Sequence, residues 1–430
     1  MPVTRGMTAP TVPGPSVLIV TAKWWASSAR LSLALLDHGC RVSVLCPAHH
    51  PLRRLSRLEE IRTYRGVRSL RSLQCALRDI RPDLVIPCDD GVVAQLHSLH
   101  ALDPTLRSLI EKSLGDPGGY AITSSRREFM RTAAALGLQV PHTERILAAG
   151  DIEAWRHPAA GSGVLKVNGE TGGNGVRICA SLEQARAALL EFRVEVRWIA
   201  AVKRMIIDRD PLALWMRKAR LTREISMQRF IDGRPANAMF ACLEGKVLGV
   251  LSVEVLLADG PTGAALVVRR VRDERMAHCA QVLAEHLGLS GFYGLDFIIE
   301  AGTGKPYLIE MNPRCTQIGH LAFTDLASLA ASFSAALGSS PARAGPEARL
   351  LAPVDRLALY PTALRVADEH RHLVDSSVLD APAGEPLLTD ELARPIWPQR
   401  QWIARLYHRL RPIRHSHSTT FAVSGSGEPG

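Results

Sequence analysis

Asp296, Glu310, Asn312 and Arg314 have the types and spacing that most suggest chemistry. They fall in two apolar runs, GFYGLDFIIE from Gly291 to Glu300 and PYLIEMNPR from Pro306 to Arg314. The turn-like stretch Ala301 to Lys305 predicts a hairpin between Phe297–Glu300 and Pro306–Asn312. Glu310 and Asn312 are two apart, so their side chains share one face of their strand. With Asp296 on the partner strand, three oxygen donors converge as a hard-cation site. Mg²⁺ favours one or two carboxylates supplemented by phosphate oxygens and water. Arg314, beside them, suits a phosphate or carboxylate. The plain alternative is an acidic strand end solvated at a sheet margin. Cys315 adjoins this motif, and no thiolate catalysis is expected of it.

Two further segments carry weaker signals. From Lys166 to Val176 the chain reads KVNGETGGNGV. A strand-end lysine followed by glycines can turn backbone N–H groups and a point charge toward an anion. The same sequence makes a serviceable hairpin turn, and it lacks the G-K-[ST] close of a Walker A loop. Gln228 to Gly233 (QRFIDG), with Arg234 and Asn237 beyond, reads as a strand running into a turn. Such a strand offers backbone groups to a purine edge, and a side-chain amide can read the exocyclic amine. Asp89, Asp90 and Gly91 follow a strand directly, where ligands of parallel sheets bind; a turn or helix cap explains them equally well.

The elements that must position these residues can be traced along the chain. Ser16–Thr21, Arg41–Cys46 and Asp83–Cys88 read as buried parallel strands. Ala26–His38 reads as a helix stopped by Gly39, and Pro51–Arg81 as helical. This alternation predicts right-handed crossovers and a Rossmann-like α/β domain. The first strand lacks G-x-G-x-x-G, which argues against a standard dinucleotide fold. Ser124–Leu138 is a predicted amphipathic helix. Strands follow at Gly163–Val167, Gly175–Cys179, Ile225–Ile231, Ala238–Leu243 and Lys246–Leu257, with a helix over Met276–Leu287, which indicates an α+β domain.

Composition sets outer limits. The chain has 430 residues, 47% hydrophobic and 22% charged, as expected of a globular protein of two or three domains. No apolar run approaches the roughly 18 residues of a membrane span. Eight cysteines show no C-x-x-C pair or zinc spacing and suit a reducing cytoplasm. The net charge of +10 is spread along an arginine-rich chain without a nucleic-acid motif. Lys203, Arg204, Arg209, Arg217, Lys218, Arg220 and Arg223 read first as a solvated face. Residues 1–15 read as a disordered leader, with Met7 a candidate start. The tail from Trp397 to His417 places Trp402, Leu406 and Leu410 on a short basic stripe, read as a helix docked on the protein body rather than on a membrane.

Taken in order, these motifs resemble the ATP-grasp superfamily over roughly residues 16–330. The resemblance implies an α/β, Rossmann-like pre-ATP-grasp domain at 16–120. An α+β ATP-grasp fold would follow at 121–338, with a lid subdomain at about 160–225. Residues 339–430 would form a C-terminal extension with a basic tail. By resemblance, Lys166 contacts ATP phosphates and Gly172, Gly173 and Gly175 form the phosphate lid. Gln228, Phe230 and Ile231 match the adenine linker, with Asn237 beyond it. Asp296, Glu310 and Asn312 match the ligands of Mg²⁺, with Mn²⁺ an alternative. Arg314 matches the arginine beside the reacting phosphate. Three positions depart from the family pattern: Ser125-Arg126 stands where a D-K pair is frequent, so Arg126 takes the lysine's place; Gln228 stands for Glu; and Asp296 stands for Glu.

The activity so implied is a carboxylate ligase. ATP converts a carboxylate to an acyl phosphate, and an amine or similar nucleophile displaces phosphate. The expected partners are therefore ATP, a small-molecule carboxylate and that nucleophile, without nucleic acid; a homo-oligomer is compatible. A bicarbonate-activating carboxylase or carbamoyl-phosphate-synthase-like enzyme is the rival within the family. A non-catalytic nucleotide-binding scaffold is the rival outside it.

Overall fold

The structure is a computed structural model and describes residues 14–155, 163–168, 175–193, 210–218, 224–322, 328–338, 356–382 and 384–393. Strands β1 (Ser16–Val20), β2 (Arg41–Cys46), β3 (Ile61–Thr63) and β4 (Leu84–Pro87) form a parallel sheet ordered β3-β2-β1-β4. Period-2 alternation divides β1 between two cores. Val17 and Ile19 join helix α1 (Ala26–Asp37) on one face. Leu18 and Val20 join helices α2 (Ser69–Ile80) and α3 (Asp90–Leu102) on the other. Both faces are covered, which is why these strands read as continuous apolar runs. The result is the expected Rossmann-like layer.

The stretch Pro51–Arg81 departs from its helical reading. It contains β3, paired with β2 from Val44↔Ile61 to Cys46↔Thr63, and α2 begins only at Ser69. Three residues are too few to show a period, and β3 exists through its pairing with β2.

A small antiparallel sheet comes next, ordered β5-β8-β6-β7. Its strands are β5 (Thr143–Arg145), β6 (Gly163–Val167), β7 (Val176–Cys179) and β8 (Ile225–Arg229). It has a core of its own, in which Leu165, Val167 and Met227 pack on Leu189 and Phe192 of the helix Leu182–Arg193.

The largest sheet has seven strands, β13-β12-β9-β10-β11-β14-β15. Its members are β9 (Gly233–Leu243), β10 (Lys246–Ala258), β11 (Ala265–Val271), β12 (Gly291–Glu300), β13 (Pro306–Asn312), β14 (Arg356–Leu359) and β15 (Val378–Asp380). On β9, Ala236, Ala238, Phe240 and Cys242 face a core shared with the helix Glu274–His286. Met239 and Ala241 face the opposite way, into the core that also holds Val17, Ile19 and Phe333. The parallel sheet and the seven-stranded sheet thus share one apolar interior, whereas the small sheet does not. Among the described residues, no helix is long and apolar enough to cross a membrane.

Candidate active site

The hairpin forms as its sequence indicates. Asp296 on β12 lies directly opposite Glu310 on β13, and Gly294 lies opposite Asn312. A Cβ at Gly294 would come within 2.4 Å of the Thr316 side chain, so this position is held open by glycine. Asp296 Oδ1 accepts from Asn237 Nδ2 at 2.7 Å, and Oδ2 accepts from Asn312 Nδ2 at 3.0 Å. Burial, then the facing charge of Glu310, pushes the Asp296 carboxyl above the usual carboxylate range.

Glu310 is held by cations. Arg126 donates to its Oε1 from Nε at 3.1 Å and from Nη2 at 2.6 Å. A third Arg126 bond, from Nη1 to Val167 O at 2.7 Å, ties this arginine to β6. Burial pushes Glu310 upward, but Arg126, Lys166 and Arg314 together outweigh it and hold its carboxyl below the ordinary value. Arg126 opens the helix Arg126–Ala135, whose N-cap Ser125 accepts from Glu128 N at 3.2 Å.

Lys166, near the end of β6, is 4% exposed and donates from Nζ to Ile309 O at 3.2 Å. Burial lowers its ammonium to about 8, against the attraction of Glu310. Gln228 on β8 donates from Nε2 to Thr143 Oγ1 at 3.1 Å and to the same Ile309 O at 3.3 Å. Its amide nitrogen is therefore occupied within the protein, and its oxygen is the atom left to accept from a ligand amine. Arg314 donates from Nε to Asp90 Oδ1 at 2.9 Å and from Nη2 to Asn312 Oδ1 at 3.2 Å.

All these side chains border one cleft of about 1630 Å³. Arg126, Lys166, Gly175, Gln228, Phe230, Ile231, Asn237, Asp296, Glu310, Asn312 and Arg314 all line it. Gly172 and Gly173 lie outside the described residues, as do Lys203, Arg204, Arg209, Arg220, Arg223 and the tail from Trp397 onward.

The structure adds participants. Asp89 is fully buried and caps α3, accepting from Val92 N at 3.0 Å and from Ala22 N at 2.6 Å. Its neighbour Asp90 is the one that reaches Arg314, and both border the cleft. Glu224 also lines the cleft and accepts from Ser125 Oγ at 2.7 Å and Asn168 Nδ2 at 3.1 Å. Lys23, after β1, pairs with Asp210 at 2.7 Å. No local pattern marks Glu224 or Lys23, because their partners are remote in sequence. Cys315 is buried, and burial pushes its thiol up to about 12, so it offers no thiolate at neutral pH.

Residues 213–317 match the family described as the ATP-grasp domain. Over these residues the chain resembles an ATP-grasp domain. Solved structures agree at the level of the fold. An N5-carboxyaminoimidazole ribonucleotide synthetase in complex with ADP aligns with a TM-score of 0.52 at 17% identity, covering 76% of this chain and 77% of that one. The biotin carboxylase domain dimer of Hydrogenobacter thermophilus 2-oxoglutarate carboxylase, with MgADP, ADP and bicarbonate, aligns at 0.52 with 13% identity, covering 77% and 71%. An L-amino acid ligase from Bacillus licheniformis aligns at 0.51 with 14% identity, covering 80% and 79%. No curated protein matches the chain by sequence. The cleft lies between the small sheet, which supplies Lys166 and Gln228, and the seven-stranded sheet, which supplies the carboxylates.

Proposed function

We propose that this chain is an ATP-dependent ligase that activates a carboxylate as an acyl phosphate and passes it to an amine or similar nucleophile, releasing ADP and phosphate. One observation carries the reading: two facing, half-buried carboxylates, Asp296 and Glu310, stand in one cleft with Arg126, Lys166 and Arg314. Paired carboxylates beside an amide oxygen form a donor set suited to magnesium, and the upward push on Asp296, from burial first and the facing charge of Glu310 second, is one that a divalent cation would relieve. Asp296, Glu310 and Asn312 would hold Mg²⁺, with Mn²⁺ as a substitute of similar ligand preference. When bound, the metal supplies charge neutralisation between phosphate oxygens and the incoming carboxylate.

The protein groups have separable tasks in this scheme. Lys166 and Arg126 neutralise phosphate charge, and Gly172, Gly173 and Gly175 are assigned to the same phosphate group by resemblance. Gln228 Oε1, with the backbone at Phe230 and Ile231, receives the adenine edge. Arg314 stabilises charge on the transferring group and is fixed for that by Asp90. The work is positioning and charge neutralisation, with no protein nucleophile required. Eight free cysteines, seven of them buried, support a reducing cytoplasmic setting.

A bicarbonate-activating carboxylase is the second reading, favoured by the fold shared with the bicarbonate-bound biotin carboxylase domain. The test mixes the full chain with ATP, magnesium and a panel of carboxylate–amine pairs, with and without bicarbonate, and scores ADP and phosphate release. Release that requires both an organic carboxylate and an amine supports the ligase. Release that follows bicarbonate alone moves the assignment to the carboxylase. Failure to bind ADP in any condition removes both.

A further inference from the structure

Beside the main cleft lies a second, smaller cavity of about 110 Å³. Its walls come from four distant parts of the chain: Trp25 and Arg30 at the start of α1, His320 beyond β13, Leu359 to Thr362 with Arg365 at the end of β14 and just after it, and Asp380 at the end of β15. Trp25, Ser27 and Gln317 border both this cavity and the main cleft, so the chamber adjoins the cleft through a common wall.

The polar groups of the chamber are bound to one another on one side only. Arg30 donates from Nη1 to Asp380 O and from Nη2 to Asp380 Oδ1. His320 Nε2 lies 2.8 Å from Asp380 Oδ2. Three other buried atoms of these walls have no hydrogen-bond partner among the described residues: Trp25 Nε1, Arg30 Nε and His320 Nδ1. Buried polar atoms are rarely left so, and three around one cavity mark a place built for a ligand.

The chemistry of that ligand follows from what the walls offer. The Asp380 carboxylate fixes the His320 proton on Nε2, which leaves a lone pair on Nδ1. Burial, then the charge of Arg30, holds the imidazole below its usual range against the pull of Asp380, so the ring is neutral. The chamber thus presents two donors, Trp25 Nε1–H and Arg30 Nε–H, and one acceptor, His320 Nδ1. Arg30 and Asp380 cancel in charge at the buried end, and the third charged wall residue, Arg365, is exposed to solvent, so the buried end favours an uncharged guest over a carboxylate. A carboxamide has the matching inventory, a carbonyl oxygen with two lone pairs and an N–H donor. The space equals roughly four waters at about 30 Å³ each, which is ample for such a group.

We propose that this chamber binds a carboxamide group carried by one of the substrates of the adjoining cleft. The assignment of that group to a substrate rests on the ligase reading; the binding chemistry of the chamber does not. The carbonyl oxygen accepts from Trp25 and Arg30, and the amide N–H donates to His320. Asp380 is a positioning residue that sets the tautomer of His320 and the rotamer of Arg30.

The test follows the indole N–H resonance of Trp25 in nitrogen-15-labelled full chain, assigned by its loss in Trp25→Phe. Acetamide is the probe and acetate the control, and ADP is titrated separately. The expected result is a saturable shift with acetamide and none with acetate, with affinity for acetamide reduced roughly tenfold in His320→Phe, which keeps a ring and removes the acceptor. No shift with acetamide up to its solubility, as in a chamber filled by water alone, overturns the proposal. An equal or larger response to acetate also overturns it, since the chamber is then an anion site. If His320→Phe does not fold, the acetamide–acetate contrast in the unmodified chain decides. Acetamide binding without ADP binding would sink the ligase reading and leave the chamber standing; ADP binding without acetamide binding would do the reverse.

Discussion

Arg126 and Glu310 form the most telling ion pair of the cleft, and their coupling can be measured. The side chains are 16% and 19% exposed, and two of Arg126's hydrogen bonds converge on Glu310 Oε1. Breaking a buried pair by removing one member costs about 3–5 kcal/mol, because the other charge is left uncompensated. Here Lys166 stands close enough to hold Glu310 partly compensated, which places Arg126→Met near the lower end, about 3 kcal/mol. Glu310→Gln keeps the volume and one acceptor but leaves Arg126 without its counter-charge. The double variant loses both charges at once, so it should be less destabilised than the sum of the single variants. The difference should be about 2 kcal/mol, within the range of contacting pairs. The assay is urea unfolding of the four proteins without nucleotide, followed by tryptophan fluorescence. Additivity within about 0.5 kcal/mol would mean that the two groups do not act as a pair. Arg126 would then be an ordinary surface-anchored arginine and Glu310 would need another explanation for its ionised state.

Three further outcomes follow from the same geometry. Glu310→Ala should abolish turnover and weaken magnesium–nucleotide binding, read by calorimetry; near-normal activity at limiting magnesium would refute its role at the cation. Lys166→Met should raise the ATP requirement and slow turnover, with roughly tenfold or more lost for one charge-assisted contact; unchanged nucleotide kinetics would return the Gly169–Gly175 segment to a plain turn. Brief alkylation of the native chain should modify Cys75, which is exposed, and spare the seven buried cysteines, Cys315 with them. Mass spectrometry showing early Cys315 modification would contradict its burial and its raised thiol.

The sequence carried some of this architecture and withheld the rest for identifiable reasons. Runs such as Val17–Val20 and Val42–Cys46 announced the parallel sheet because both of its faces are covered. The Asp296/Glu310 hairpin was legible because two long apolar strands flank a short glycine-rich turn. β5 and β3 were not, since three residues hold no period. β11 ends in Val268, Arg269, Arg270 and Val271, and its basic pair obscures the strand alternation. β14 joins the large sheet by pairing with the remote β11, and β15 by pairing with β14 in turn, which local propensity cannot encode. The same limit applied within the cleft. Arg126 was anticipated at its position, but its grip on a carboxylate 184 residues away was not. The donation by the Gln228 amide to Ile309 O likewise depends on β13 lying alongside.

The shared and separate cores have a mechanical consequence. The parallel sheet and the seven-stranded sheet have one interior in common, and Cys315 N donates to Pro87 O at 3.2 Å where they meet. Those two layers behave as a chassis: moving one against the other would tear open apolar surface. The small sheet, with its independent interior, is a lever arm mounted on that chassis. Near the cleft its attachments include the Lys166 and Gln228 bonds to Ile309 O and the Arg126 bond to Val167 O. Each such bond is worth about 1–3 kcal/mol net, the charged donors Lys166 and Arg126 lying toward the upper end. Displacing the small sheet would therefore cost less than deforming the chassis. Lys166 belongs to the small sheet and Arg314 follows the large one, so any such displacement would change the distance between the two cations.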